Sequence, residues 1–148
     1  MTAIGFIGVG NMGGPMARNL LKAGFEVRIF DVNAEMTKPI IGAGAAAARN
    51  LREACEGADT VLTMLPAGQH VRTVYLDKEG VLASARPGTL LVDCSTVDID
   101  SALAVHRAAG VGGVRDGPEP RRGVRVPMDR GEPRHPGGAR DTGIRTLG

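Results

Sequence analysis

Short apolar runs alternate with helically spaced apolar positions over the first 109 residues of the chain. The apolar runs are rich in strand-forming residues and predict strands at 3–8, 25–31, 60–66 and 89–95. The helical spacing predicts helices at 11–24, 34–41, 50–57, 68–76, 80–85 and 98–109, and the alanine run at 45–48 is ambiguous but fits a short strand. Strands that alternate with helices form βαβ units, so we predict an α/β fold with a parallel sheet covered by helices on both faces.

Several residues mark where these elements begin and end. Asn11 is a candidate cap for the first helix, and Gly24 is a stop signal after it. Pro39 is expected to end or kink the helix at 34–41, because proline lacks the backbone N–H of a regular helix. The spacing of Cys55 and Cys94 fits no metal or redox motif, so we predict two buried apolar side chains and no metal site.

The pattern vanishes after Gly110. Only eight of residues 110–148 are apolar, whereas ten are glycine, eight are arginine and five are proline. Such a segment cannot offset the entropy lost on folding, so we predict one folded domain at 1–109 and a disordered tail at 110–148. We interpret the tail as an out-of-frame translation product, since GC-rich DNA read out of frame encodes mainly Arg, Gly, Pro and Ala. A genuine disordered basic tail is the alternative.

Charge and hydropathy argue against two classes of partner. Residues 1–109 carry ten basic and eleven acidic side chains, and the basic excess of the tail lacks interleaved aromatic residues, so no nucleic-acid partner is predicted. No apolar run is long enough to span a membrane, and the N-terminus lacks the basic leader of a signal peptide. We therefore expect a cytoplasmic protein with no membrane partner.

A glycine motif follows the first predicted strand and opens the first helix. Gly8, Gly10 and Gly13 have the G-x-G-x-x-G spacing, and the second strand ends in Asp31. This context predicts a dinucleotide-binding, Rossmann-type doubly wound sheet. The first glycine permits a tight turn, the second lets a pyrophosphate approach the backbone, and the third lets the helix pack against the strand. The predicted cofactor contacts of the turn are Gly8, Val9, Gly10, Asn11, Met12 and Gly13.

Asp31 bears on the choice of cofactor. Its carboxylate is expected to accept hydrogen bonds from the ribose hydroxyls and to repel a 2′-phosphate, and no arginine lies in the residues that follow it. The sequence thus favours NAD over NADP. A glycine turn without a ligand, with Asp31 as an ordinary strand-end residue, is the alternative.

The stretch "GFIGVGNMGGPMARNLLKAGFEVRIFD" resembles the start of 3-hydroxyisobutyrate dehydrogenases and the wider β-hydroxyacid dehydrogenase family. The N-terminal domain of 6-phosphogluconate dehydrogenase is similar, and the segments at 63–66 and 92–98 agree with the family pattern. The resemblance implies that Leu65 and Pro66 contact the cofactor, that Thr96 lies near the nicotinamide ribose, and that Ser95 helps to hold the substrate. A helix cap is the alternative role of Ser95 and Thr96. His70, where many relatives have an asparagine, is interpreted as an exposed helix-surface residue.

The family pattern is incomplete in this chain. Relatives have a D-x-P-V-S-G-G segment that grips the substrate carboxylate and, on a later helical domain, a lysine that acts in proton transfer. Neither pattern occurs here, and the last lysine is Lys78, so no catalytic residue is assigned.

We therefore predict the NAD(P)-binding domain of a β-hydroxyacid dehydrogenase that is truncated and inactive by itself. A small hydroxyacid substrate is expected only for an intact relative. The alternatives are a non-catalytic dinucleotide-binding module, or a fragment of a related glyoxylate, succinic semialdehyde or tartronate semialdehyde reductase.

Overall fold

A computed structural model describes residues 2–110 and 124–125 of the chain. Its strands are β1 (Ala3–Ile7), β2 (Glu26–Phe30), β3 (Ala46–Ala47), β4 (Thr60–Thr63), β5 (Leu90–Asp93) and β6 (Val124–Arg125). Its helices are α1 (Gly13–Lys22), α2 (Ala34–Ile41), α3 (Leu51–Cys55), α4 (Gly68–Leu76), α5 (Val81–Ser84) and α6 (Ile99–Ala108). All paired strands run parallel, in the order β3-β2-β1-β4-β5-β6.

The strand order reverses direction at the centre of the sheet. The chain runs outward from β1 through β2 to β3 and then returns to place β4 on the other side of β1. This is the order of a doubly wound Rossmann-type sheet, and it leaves a crevice beyond the carboxyl ends of β1 and β4. The predicted α/β fold class is therefore confirmed.

Two apolar cores lie on opposite faces of the sheet, because neighbouring strand residues point to opposite sides. Phe6 belongs to the core that α1 and α2 cover, together with Ala17 and Ile40. Ile7 belongs to the other core, which contains Tyr75 of α4. Helices thus cover both faces, as the near-continuous apolar strands predict.

The expected cap of α1 at Asn11 and the expected end of α2 at Pro39 are both wrong. Helix α1 begins at Gly13 with Met12 at the cap position and no side-chain capping bond, so Asn11 does not cap it. Helix α2 continues through Pro39 to Ile41. Burial of Ile40, which is only 3% exposed, holds this last turn on the sheet and outweighs the loss of the one helical hydrogen bond that proline cannot donate.

Strand β6 lies beyond the segment in which the sequence pattern indicates elements. Val124 and Arg125 pair in parallel with Leu91 and Val92 at the edge of the sheet. A two-residue ladder depends on backbone hydrogen bonds alone, so side-chain periodicity does not reveal it. The predictions of a disordered tail and of its out-of-frame origin concern residues that otherwise lie outside the described part of the chain.

The two cysteine thiols differ in their environments. Cys55 is buried, only 1% exposed, and burial raises the pKa of its thiol from 9.0 to about 11. Cys94 is partly buried, and the pKa of its thiol is raised mainly by this burial and to a smaller extent by the charge of Asp93. The prediction of a buried side chain is confirmed for Cys55 and only partly for Cys94.

We expect Cys55 to react with a thiol reagent at pH 8 about 100-fold more slowly than a thiol with a pKa of 9.0. The thiolate is the reactive form, and the raised pKa of Cys55 lowers the fraction of thiolate at this pH by that factor. A Cys94→Ser variant isolates the Cys55 signal, and the same variant in denaturant provides the unfolded reference rate. Equal rates in the folded and the denatured chain would contradict the burial of Cys55.

No helix in residues 2–110 is long and apolar enough to cross a membrane. The same part of the chain contains no group of three or more His, Cys, Asp or Glu side chains that could hold a metal ion.

Candidate cofactor site

The register of the sheet brings the three central strand ends to one level. Ile7, the last residue of β1, lies opposite Phe30 of β2 and Thr63 of β4. Backbone hydrogen bonds extend this pairing by one residue, from the Gly8 N–H to the Phe30 carbonyl at 3.0 Å and from the Met64 N–H to the Ile7 carbonyl at 2.9 Å. The glycine turn, the residues after β2 and the residues after β4 therefore meet at the crevice where the strand order reverses.

A cleft of 480 Å³ occupies this crevice. Its walls come from the three strand ends and from α1, α2 and α4. The lining residues are Ile7, Gly8, Gly10, Asn11, Met12, Gly13, Phe30, Asp31, Val32, Met36, Met64, Leu65, Pro66, His70, Thr73 and Val74.

Gly8 and Gly13 are required by the packing of the turn against the protein itself. Gly8 has a φ of +87°, and a Cβ there would run into the carbonyl oxygen of Met64. A Cβ on Gly13 would run into the carbonyl oxygen of Gly8 and would lie 3.1 Å from the ring of Phe6. The absence of both side chains lets the turn close tightly and lets α1 approach β1.

Gly10 differs from its two neighbours in the motif. It has a φ of +33°, and a Cβ added there would meet nothing within 4 Å. The space beside it belongs to the cleft, at the amino end of α1, and the first turn of that helix carries no acidic side chain. A helix N-terminus has unpaired N–H groups and a partial positive charge, so this open space fits a phosphate group.

Asp31 lines the cleft, and its carboxylate is hydrogen-bonded to the glycine turn. Its Oδ2 accepts a 2.7 Å hydrogen bond from the Val9 N–H, and its Oδ1 accepts a 2.8 Å bond from the Asn33 N–H. Val9 itself is 1% exposed and is not among the lining residues, so its side chain belongs to the core and the structure does not place this predicted contact at the cleft. Asp31 therefore organises the turn as well as lining the cleft, a link that the motif spacing alone did not reveal.

The opposite wall comes from the end of β4 and from α4. His70, Thr73 and Val74 share one face of α4 by their spacing and line the cleft together with Leu65 and Pro66. His70 is exposed, as expected from the sequence, but it lies at the cleft and not on a remote helix surface.

The sequence analysis missed several apolar lining residues. Val32 is 96% exposed, Met36 is 36% exposed, and Val74 is partly buried. The sequence offers no signal for them, because the exposure of Val32 and the position of Val74 beside the cleft are known only from the fold.

Ser95 and Thr96 lie outside the lining of the cleft, after the carboxyl end of β5. The Ser95 hydroxyl donates to Asp93 Oδ1 at 2.6 Å and accepts from the Leu65 N–H at 2.8 Å, whereas Thr96 is exposed. Neither residue caps α6. The cap is Asp98, whose carboxylate accepts from the Ser101 N–H, and this bond lowers the pKa of Asp98.

A second cavity, of 380 Å³, lies at the opposite end of the strands, beside the starts of β1 and β2. It is bordered by Arg28, whose Nη1 donates to the carbonyl oxygens of Glu53 and Glu56 at 2.8 and 2.7 Å. This guanidinium already has protein partners, so the second cavity is a reference surface and not a candidate site.

Residues 3–115 match the family model of the NAD binding domain of 6-phosphogluconate dehydrogenase. The chain is 51% identical over 109 residues to the NAD-dependent L-serine dehydrogenase of Pseudomonas aeruginosa, in an alignment that covers 74% of this chain and 37% of that protein. It is 47% identical over 114 residues to the 3-hydroxyisobutyrate dehydrogenase of the same organism, with 77% of this chain and 38% of that protein covered.

A solved structure of Mycobacterium tuberculosis 3-hydroxyisobutyrate dehydrogenase with L-serine is similar in fold and sequence. The two chains are 46% identical with a TM-score of 0.70, and the match covers 75% of this chain and 37% of that one. The chain thus spans less than two fifths of the length of these relatives. It belongs to the family of the NAD binding domain of 6-phosphogluconate dehydrogenase, resembles the N-terminal part of 3-hydroxyisobutyrate dehydrogenases, and has a nicotinamide dinucleotide as its cofactor.

Proposed function

We propose that the cleft at the glycine turn binds NAD in preference to NADP and forms the cofactor half of a β-hydroxyacid dehydrogenase. The observation that carries the proposal is Gly10, which leaves open space at the amino end of a ten-residue helix within a cleft of 480 Å³. A diphosphate is the part of the cofactor that this combination fits, since it needs close approach to backbone N–H groups.

The remaining predicted contacts follow from the walls of the cleft. Asp31 would hold the adenosine ribose, Leu65 and Pro66 would contact the cofactor from the β4 side, and Val32 and Met36 offer an apolar surface beside Asp31. We also retain Thr96 as a contact near the nicotinamide ribose, because it follows the end of the neighbouring strand β5.

The preference for NAD rests on charge. Asp31 is the one carboxylate among the described residues that line the cleft, and neither lysine nor arginine is among them. A 2′-phosphate on the adenosine ribose would therefore meet a negative charge without a compensating cation.

The bound nicotinamide would supply a hydride acceptor for the hydroxyl-bearing carbon of a small hydroxyacid. The chain itself supplies cofactor binding and orientation. A non-catalytic dinucleotide-binding module is the second candidate, and the observation that favours it is that no lysine is among the described residues that line the cleft.

Titration of the full chain with NADH, followed by the fluorescence of the reduced nicotinamide, tests the proposal. We expect saturable binding that NAD displaces at lower concentration than NADP does. An unchanged fluorescence signal together with no heat of binding in a calorimetric titration would refute cofactor binding, and tighter binding of NADP would refute the role of Asp31.

We expect Asp31→Asn to shift the NAD-to-NADP affinity ratio toward NADP by about tenfold, because it removes the charge. The single oxygen of the asparagine amide can still accept from the Val9 N–H, whereas the Asn33 N–H loses its acceptor. The readout is the pair of dissociation constants. Asp77→Asn is the matched control, since that carboxylate is exposed and bonds only the adjacent Lys78 N–H among the bonds described for it. An equal change in the ratio for both variants would contradict the local role of Asp31.

A further inference from the structure

We infer that Ser95 is a positioning residue that, held by the buried carboxylate of Asp93, fixes the Leu65–Pro66 wall of the cofactor cleft. This inference rests on the proposed cofactor function of that cleft. It gives Ser95 a different task from the substrate contact that the family resemblance implies.

A polar cluster lies between the carboxyl ends of β4 and β5. Asp93 is 4% exposed, and both Thr63 and Tyr75 are fully buried. The Thr63 hydroxyl donates to Asp93 Oδ1 at 2.8 Å, and its oxygen lies 3.0 Å from the Tyr75 hydroxyl. A buried carboxylate needs hydrogen-bond donors in place of water, and this cluster supplies them.

The carboxylate fixes the direction of every hydrogen bond in the cluster. The one proton of the Thr63 hydroxyl goes to Asp93, so Tyr75 must be the donor in its contact with Thr63. Burial raises the pKa of Tyr75, which keeps its phenol protonated as this donor role requires.

The same reasoning orients Ser95. Its hydroxyl donates to Asp93 Oδ1 at 2.6 Å, and its backbone N–H donates to the same oxygen at 3.1 Å. With the proton directed to Asp93, the lone pairs of Ser95 Oγ face other donors, and one of them accepts the Leu65 N–H at 2.8 Å. The Ser95 proton is therefore already used within the protein and is not available to a substrate.

The hydrogen bond from the Leu65 N–H to Ser95 Oγ lies just beyond the end of β4, where the chain forms the wall of the cleft. Strand β4 ends at Thr63, so the Leu65 N–H lies beyond the regular ladder. The Leu65 side chain packs against the glycine turn, since its Cδ2 lies 2.9 Å from the position of a Cβ on Gly8. The bond from Leu65 to Ser95 thus ties the wall to β5 and, through Asp93, to the buried cluster.

The test compares Ser95→Ala, Ser95→Thr and the control Ser84→Ala in the full chain. Like Ser95, Ser84 has a hydroxyl that donates a hydrogen bond within the protein, here to the carbonyl oxygen of Glu79 at 3.4 Å, but it lies away from the cleft on α5. The readouts are the NADH dissociation constant and the hydrogen-exchange rate of the Leu65 amide in the free protein. A thermal melt of each variant shows that it is folded.

We expect Ser95→Ala to weaken NADH binding about tenfold and to accelerate exchange of the Leu65 amide by a similar factor, as loss of one hydrogen bond predicts. Ser95→Thr, which keeps the hydroxyl, should restore both values toward those of the unsubstituted chain, and Ser84→Ala should change neither. Unchanged exchange of the Leu65 amide in Ser95→Ala would overturn the inference, even if binding weakened. The exchange rate needs no cofactor, so a chain that fails to bind NADH refutes the proposed function while the amide still decides the role of Ser95.

Discussion

Replacing Gly10 by valine should abolish measurable NADH binding while the chain remains folded. The side chain would enter the cleft at the amino end of α1, and no protein atom lies within 4 Å of its Cβ to be displaced. The cofactor would lose the close approach of its diphosphate to the backbone, so we expect a weakening of at least about 100-fold, or about 2.7 kcal/mol. The measurement is an NADH fluorescence titration, with a thermal melt to establish folding.

Gly24→Val is the matched control for backbone strain. Gly24 has a φ of +88° and equally open surroundings, but it follows the carboxyl end of α1 and is not part of the cleft. Its variant should lose stability and keep NADH binding. Similar loss of binding in both variants would attribute the Gly10 effect to strain and would contradict its placement beside the diphosphate.

The 148-residue chain should show no detectable hydride transfer from 3-hydroxyisobutyrate or L-serine to NAD. The family resemblance assigns proton transfer to a lysine on a later domain, and this chain has no lysine after Lys78. General acid–base help contributes about 10² to 10⁴ in rate, and the missing substrate clamp removes orientation as well. The assay is NADH formation, run beside the 3-hydroxyisobutyrate dehydrogenase of Pseudomonas aeruginosa as a positive reference.

Turnover by the chain would show that another group serves as the acid or base. His70 lines the cleft, and His106 is partly buried on α6, so His70→Gln and His106→Gln would be compared first. Activity that survived in the chain and disappeared in one variant would identify the group and would contradict the assignment of cofactor binding alone.

The motif residues could be predicted because each has a local reason to be what it is. Gly8 and Gly13 are glycines because a Cβ would meet a carbonyl oxygen, and Gly10 lies beside open space. Spacing along one chain segment is sufficient to recognise such a turn. The bond between Asp31 and the Val9 N–H depends on the register of β2 against β1, and sequence spacing does not give that register.

The less predictable parts of the site depend on packing between distant segments. Thr73 and Val74 line the cleft because α4 lies against the end of β4. The sequence around them predicts only a helix and gives no sign of a binding role. Ser95 was open to two readings, a substrate contact and a helix cap, because its bond to the Leu65 N–H spans 30 positions. Burial of Ile40 overrode the local preference of Pro39 for the same reason.

The central claim is that a nicotinamide dinucleotide binds at the glycine turn. Its most direct test is a two-dimensional amide NMR spectrum of the full chain titrated with NAD. We predict saturable shifts of the amides of Gly10, Asp31 and Leu65, whereas those of Glu26 and Arg28 beside the second cavity stay in place. Shifts centred on the second cavity, or no saturable shift at the glycine turn, would contradict the account.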